Sequence, residues 1–237
     1  RTGLRNPVTH YTTGGGATEI LKSGTIRGRD QAFPGKPFKQ DTRKEIAKRP
    51  LLTKFPIAPG SPAVSVTRDP MFLSRPHVHV GSDIGLIMDR DQLVKKGMKI
   101  QPFAEAKYGK VLPYLHTQYK KMNPRFEFEE RVRGYIPTEN IRLIDLARLP
   151  SEQGVTDVDR YKTLIELVKS RTPIIKSFKA KEGLQRTLNN IRRARLGRVT
   201  LSQYLKEKGV DTQDYIQTIE QLLNTPTYRF DPFSRLQ

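Results

Sequence analysis

Phe126-Glu127-Phe128-Glu129-Glu130-Arg131-Val132 alternates apolar and charged side chains as an extended chain does. Successive side chains of a strand point to opposite faces. Phe126, Phe128, Glu130 and Val132 therefore share one side, and Glu127, Glu129 and Arg131 share the other. The first side reads as core and the second as a charged surface or a site. Carboxylates two residues apart in a strand lie about 7 Å apart, close enough to hold a cationic intermediate or a sugar hydroxyl. By the same parity Glu130 belongs with the phenylalanines and is not a catalytic group. Taken alone, the stretch is equally an amphipathic strand with a solvated acidic side.

The composition narrows the partners more than the fold. A chain of 237 residues with 35% hydrophobic content can bury one substantial core, or one core and a small helical appendage. Its 43 Lys and Arg against 24 Asp and Glu give a formal net charge of +19, which predicts attraction to a polyanion. With no cysteine, a disulfide framework, a thiolate metal site and a cysteine nucleophile are excluded. No apolar run approaches the ~18 residues that span a bilayer, and the N-terminus lacks a secretory pattern. No membrane insertion is expected. Arg1 rather than Met stands first, which leaves an upstream targeting segment open.

In chain order, Val8-Thr9-His10-Tyr11-Thr12-Thr13 is β-prone and runs into Gly14-Gly15-Gly16, expected to be a turn or a close backbone approach. Ala17 to Ser23 reads as a helix with Ile20 and Leu21 inward and Gly24 as its stop. Thr25 to Gly28 starts a second strand. Residues 29–62 carry six prolines among many Lys and Arg and read as a long loop or lid. Ala63-Val64-Ser65-Val66-Thr67 alternates apolar with hydroxyl side chains, and Arg68-Asp69-Pro70 turns away. His77 and His79 alternate on a further segment, but no third ligand follows at a metal-binding spacing. Ile84 to Asp89 reads as a central strand, Asp89 as the cap of a short helix that holds Leu93 and Val94 and stops at Gly97, and Ile141 to Leu146 as another strand. Residues 1–148 thus form a strand-rich unit.

From 149 to 237 the pattern turns helical, a basic appendage that ends in an extended tail from Thr225. The third of its helices stops at Gly209, and Asp211 or Thr212 caps the fourth. That pair resembles a helix-turn-helix only in outline, because Asp214 to Leu223 contains no Lys or Arg to read DNA. Arg192, Arg193 and Arg195 are the better candidates for phosphate contact, with a solvated face as the plain alternative.

Three strands now stand in order: His10 before the glycines, Ser65 and Thr67 on a strand, and Glu127 and Glu129 on a later one. With Ile20-Leu21-Lys22-Ser23-Gly24, Arg68-Asp69-Pro70, Glu130-Arg131-Val132, Ile136-Pro137 and Ile141, that order resembles the ADP-ribosyltransferase-like superfamily, in particular the domains of bacterial toxins and tailed-phage proteins. The resemblance covers residues 1–148. It implies an α+β fold, a split pair of small β-sheets with an NAD cleft, followed here by the helical C-terminal appendage. NAD is implied as substrate, with no metal. His10 would bind the adenosine-side ribose, and Thr12 or the Gly14–Gly16 backbone would lie against the dinucleotide. Ser65 and Thr67 would order the nicotinamide pocket, and Arg68 or a loop arginine would hold the pyrophosphate. Glu129 would take the catalytic role and Glu127 would orient the acceptor. The chain departs from the family pattern in pairing a histidine-led first motif with a Glu-x-Glu pair and in placing Val66 between the two hydroxyls.

Two functions follow. One is NAD-dependent transfer of ADP-ribose to a protein or nucleic-acid acceptor, with DNA, RNA or a nucleic-acid-associated protein as the acidic partner. The other is a non-enzymatic basic virion or structural protein of the same fold that contacts DNA or neighbouring subunits. The implied location is the bacterial cytoplasm or a phage virion.

Overall fold

In the computed structural model, which describes residues 4, 6–28, 63–68, 83–102, 129–150, 154–193 and 200–228, the alternating segments pair into one mixed sheet. The strands are β1 (Pro7–Thr12), β2 (Thr25–Ile26), β3 (Ala63–Thr67), β4 (Ile84–Asp89), β5 (Ile100–Pro102), β6 (Glu129–Arg133), β7 (Ile136–Pro137), β8 (Ile141–Leu146), β9 (Ile174–Ser177) and β10 (Thr227–Tyr228). The helices are α1 (Gly14–Ser23), α2 (Arg90–Lys95), α3 (Asp157–Lys169), α4 (Phe178–Arg192), α5 (Leu201–Glu207) and α6 (Thr212–Leu223). Eight strands lie in the order β10-β9-β8-β4-β1-β3-β6-β5, and β2 pairs with β7 in a separate ribbon. The pairs β8/β9 and β9/β10 are parallel and the others antiparallel.

The expected split falls inside this sheet. β1 and β4 are in register along their whole length, from Pro7↔Asp89 to Thr12↔Ile84. β3 and β6 likewise pair from Ala63↔Arg133 to Thr67↔Glu129. Between the two halves, β1 meets β3 at one register position, Thr9↔Thr67.

One face of the sheet is the core. Val8, Ile84, Leu86, Met88, Ile144 and Leu146 recur at every second position, and the register aligns them across β1, β4 and β8. Leu164 and Leu167 of α3, Leu184 and Leu188 of α4, and Tyr215, Ile219 and Leu222 of α6 join the same buried cluster. Caps set the helix starts: Asp89 for α2 and Asp211 for α6, as expected, and Thr156 for α3 and Thr200 for α5, each accepting hydrogen bonds from first-turn N–H groups.

The glycines Gly14–Gly16 form the first turn of α1, and the expected close backbone approach is made there. Gly14 is needed there because a Cβ would lie 2.6 Å from the ring of Pro150. Val94 is 46% exposed, so only Leu93 of that pair packs inward. The region from 149 onward is not purely helical, since β9 and β10 extend the main sheet beyond β8. Residues 29–62, His77 and His79 lie outside the described residues.

Two buried ionisable groups hold this extension. Lys176 of β9 is fully buried and donates to the Thr225 carbonyl and, at 3.3 Å, to its hydroxyl. The ammonium thus faces carbonyls at the C-terminus of α6, where the helix dipole favours a cation, while burial pulls its pKa down. On the other face, Asp145 of β8 is 7% exposed and accepts from Tyr228 Oη at 2.8 and 3.0 Å. Burial pushes its pKa up to about 6, against the opposing effect of that hydrogen bond.

A carboxyl whose folded pKa lies above its unfolded value binds protons more tightly when folded, so its contribution is full below the unfolded value near 3.8 and is lost as pH rises through about 6. Asp145→Asn keeps an acceptor for Tyr228 without that cost. We expect the variant to be more stable than wild type at pH 7.5, by on the order of 2 kcal/mol, with the gap closing toward pH 4. Urea denaturation at both pH values measures this, and a gap independent of pH contradicts it.

Candidate functional site at the sheet junction

The residues singled out by sequence gather where the two half-sheets meet. His10 is the fourth residue of β1, Ser65 and Thr67 lie on β3, and Glu129 opens β6. These three strands are consecutive neighbours in the sheet although they start far apart in the chain. Thr9, Thr67 and Glu129 occupy one row of register partners.

His10 bridges the junction. Its Nδ1 lies 2.9 Å from the Ser65 carbonyl. A carbonyl only accepts, so Nδ1 carries the proton and Nε2 of the neutral ring keeps a lone pair. Burial lowers the pKa of the imidazole, opposed by the bond to Ser65, and the ring is neutral at pH 7. A neutral ring with an anchored Nδ1–H offers a fixed acceptor at Nε2, suited to a hydroxyl rather than to an anion.

Thr12 lies on the same face of β1 as His10, whereas Ser65 and Thr67 of β3 share the opposite face with Thr9; Ser65 and Thr12 are partly buried and Thr67 is 5% exposed. Thr12 closes β1 immediately before Thr13, the cap of α1. The Tyr11 ring lies across β4 at Gly85, where a Cβ would come within 2.8 Å of it. Gly85 is the register partner of Asp145, so Tyr11 borders the Asp145–Tyr228 pair. Sequence reading missed that cluster, because its four positions share no local motif.

Glu130 is where parity puts it, opposite Val66 and 1% exposed. A buried carboxylate needs a cation and hydrogen bonds. Arg90, the first residue of α2, donates from Nε to both oxygens at 3.1 and 2.9 Å. Arg68 Nε lies 3.7 Å from Oε1. Arg68, expected on a pyrophosphate, is therefore beside Glu130, with its side chain still 43% exposed. The Arg90 backbone also donates to the Asn6 carbonyl at 3.0 Å. Arg90 thus ties the half-sheet of β1 and β4 to β6 of the other half. Nothing in the local sequence marks Arg90 for this, since its partner is forty residues away.

The other expected positions separate. Glu127 and Arg195 lie outside the described residues. Arg192 ends α4 and is paired with Glu220 of α6, and Arg193 is the exposed C-cap of the same helix. Among the described residues no group of three or more His, Asp and Glu side chains is placed to hold a metal ion, and no helix is long and apolar enough to cross a membrane.

Truncating one partner of a buried ion pair leaves the other charge unpaired, so Glu130→Ala should lose about 3–5 kcal/mol of stability. Replacing both members, Arg90→Met with Glu130→Met, should restore most of it. Chemical denaturation of the single and double variants checks this. A double variant no more stable than Glu130→Ala contradicts the pairing.

No family model matches the sequence, and no curated protein does. Three solved structures of DarT from Thermus sp. 2.9 are similar to the chain. The complex with ADP-ribosylated single-stranded DNA has 14% identity and a TM-score of 0.40, over 71% of this chain and 92% of that one. The complex with NAD+ has 15% identity and a TM-score of 0.40, over 72% and 94%. The complex with carba-NAD+ has 17% identity and a TM-score of 0.39, over 72% and 94%.

Proposed function

We propose that the chain is an NAD-dependent ADP-ribosyltransferase whose cleft opens at the junction of β1, β3 and β6. The observation that carries this reading is the His10 bridge: an imidazole held neutral, with Nδ1–H on the Ser65 carbonyl, in the row of strands that also bears Thr67 and Glu129. Nε2 then accepts from a ribose hydroxyl of NAD. Ser65, Thr67 and Thr12 supply short hydroxyls around the dinucleotide, and Arg68 supplies a guanidinium at the mouth.

In the reaction the bond between nicotinamide and ribose C1′ breaks, its electron pair leaving with nicotinamide, and a bond from the acceptor nucleophile to C1′ forms. Positive charge develops on the ribose only in the transition state. A preorganised carboxylate there accelerates the step because it stabilises that state more than the bound substrate. Glu129 is assigned this role, accepting from the ribose 2′-hydroxyl, and Glu127 orients the acceptor. The charge of +19 favours an acidic acceptor, nucleic acid or a protein bound to it. The same charge favours the competing reading, a non-enzymatic DNA-contacting structural protein.

Glu129→Gln keeps the shape and removes the charge, so it should fold as wild type does and lose about 100-fold or more of the transfer rate. Labelled NAD incubated with cell extract, with and without nuclease, measures transfer and the class of acceptor. Equal labelling by wild type and Glu129→Gln contradicts the reading. Absent NAD binding by calorimetry, with salt-sensitive DNA binding retained, replaces it with the structural one.

A further inference from the structure

α4 divides its residues cleanly by face. Ala180, Leu184, Leu188 and Ile191 point into the core, none more than 5% exposed. That stripe fixes the outward meridian, because residues three and four apart share a face. Lys179, Arg186 and Arg193 recur on it at intervals of seven residues, and all three are exposed. At the helical rise, each interval is about 10 Å. Among the described residues none of the three side chains has an ion-pair or hydrogen-bond partner. Gln185, Asn189 and Asn190 are exposed beside them, and Glu182 is the one carboxylate of the helix. Arg192 is on the flank and already engaged by Glu220.

These cations do not serve the fold. Lys179 and Lys181 sit near the N-terminus of α4, with no acidic residue in its first turn, where the helix dipole disfavours positive charge. Glu182, three residues after Lys179 and four before Arg186, is the one carboxylate on this face, against three cations. By contrast α6, which packs on α4, carries no Lys or Arg.

We infer that the outward face of α4 is a nucleic-acid-binding surface, with Lys179, Arg186 and Arg193 on phosphates about three nucleotides apart and the neighbouring amides hydrogen-bonding to the strand. The repeat of about 10 Å matches about three 3.4 Å steps of one strand. A lipid surface is the poorer fit, because the apolar stripe of this helix is already buried in the core and cannot enter a bilayer. The inference stands on α4 alone and does not depend on the transferase reading.

The test is fluorescence anisotropy of labelled single-stranded and duplex oligonucleotides across a salt series. It compares the wild-type chain, Lys179→Gln/Arg186→Gln/Arg193→Gln, and a control of equal charge change on α1, α2 and α3, Lys22→Gln/Lys95→Gln/Lys162→Gln. Removing three phosphate contacts should reduce the slope of log affinity against log salt by about 2 to 3 and weaken binding at least about tenfold. The control should change both much less. Three results overturn the inference: an α4 variant that binds as wild type does, a control that loses as much as the α4 variant, or polyglutamate or anionic vesicles displacing the oligonucleotide as effectively as unlabelled oligonucleotide does.

Discussion

The sheet is held across its middle by very little backbone. Five strands lie on one side and three on the other, and they share the register pair Thr9↔Thr67. Among the described residues, side chains also span the gap: the His10 imidazole on the Ser65 carbonyl, and the Arg90 guanidinium on Glu130.

This arrangement divides labour between adjacent carboxylates of one strand. Glu130 is spent on architecture. Buried opposite Val66 and held by Arg90, it fixes β6 relative to α2 and the end of β4. Glu129, its neighbour, pairs in register with Thr67 and is the carboxylate to which we assign the chemistry under the proposed function. Burial makes the first group a fixture, because an uncompensated carboxylate would cost several kcal/mol in that setting. It also makes His10 an acceptor, because the cost of desolvation is borne by the imidazolium and not by the neutral ring. The same physics sets the far end of the sheet, where Lys176 and Asp145 accept burial in exchange for the Thr225 carbonyl and the Tyr228 hydroxyl.

A β-prone run made β1 legible in the sequence, apolar runs made β4 and β8 so, caps α2 and α6, helical spacing α3, and alternation β3. The parity of Glu130 was readable for the same reason. β9 was not, because Ile174-Ile175-Lys176-Ser177 follows Pro173 without alternation and buries a lysine. Its partner, the helix end at Thr225, is distant in sequence. β10 is two residues long and exists only because β9 offers an edge. The glycines of α1 read as a turn or a close backbone approach, and Pro150 supplies the approach. Within the site, residue types and their order were visible in the chain. The tautomer of His10 and the Arg90–Glu130 pair were not, since both depend on contacts between strands that only the assembled sheet brings together.

The most direct measurement is nitrogen-15 NMR of the histidine ring, assigned by His10→Gln and recorded across pH with and without NAD. The account predicts a neutral His10 with Nδ1 protonated, titrating below the ordinary histidine value, and an Nε2 resonance that moves when NAD binds. A His10 that titrates at the ordinary value, carries its proton on Nε2, or keeps its Nε2 shift while NAD saturates the protein would contradict a cleft at the β1–β3 junction.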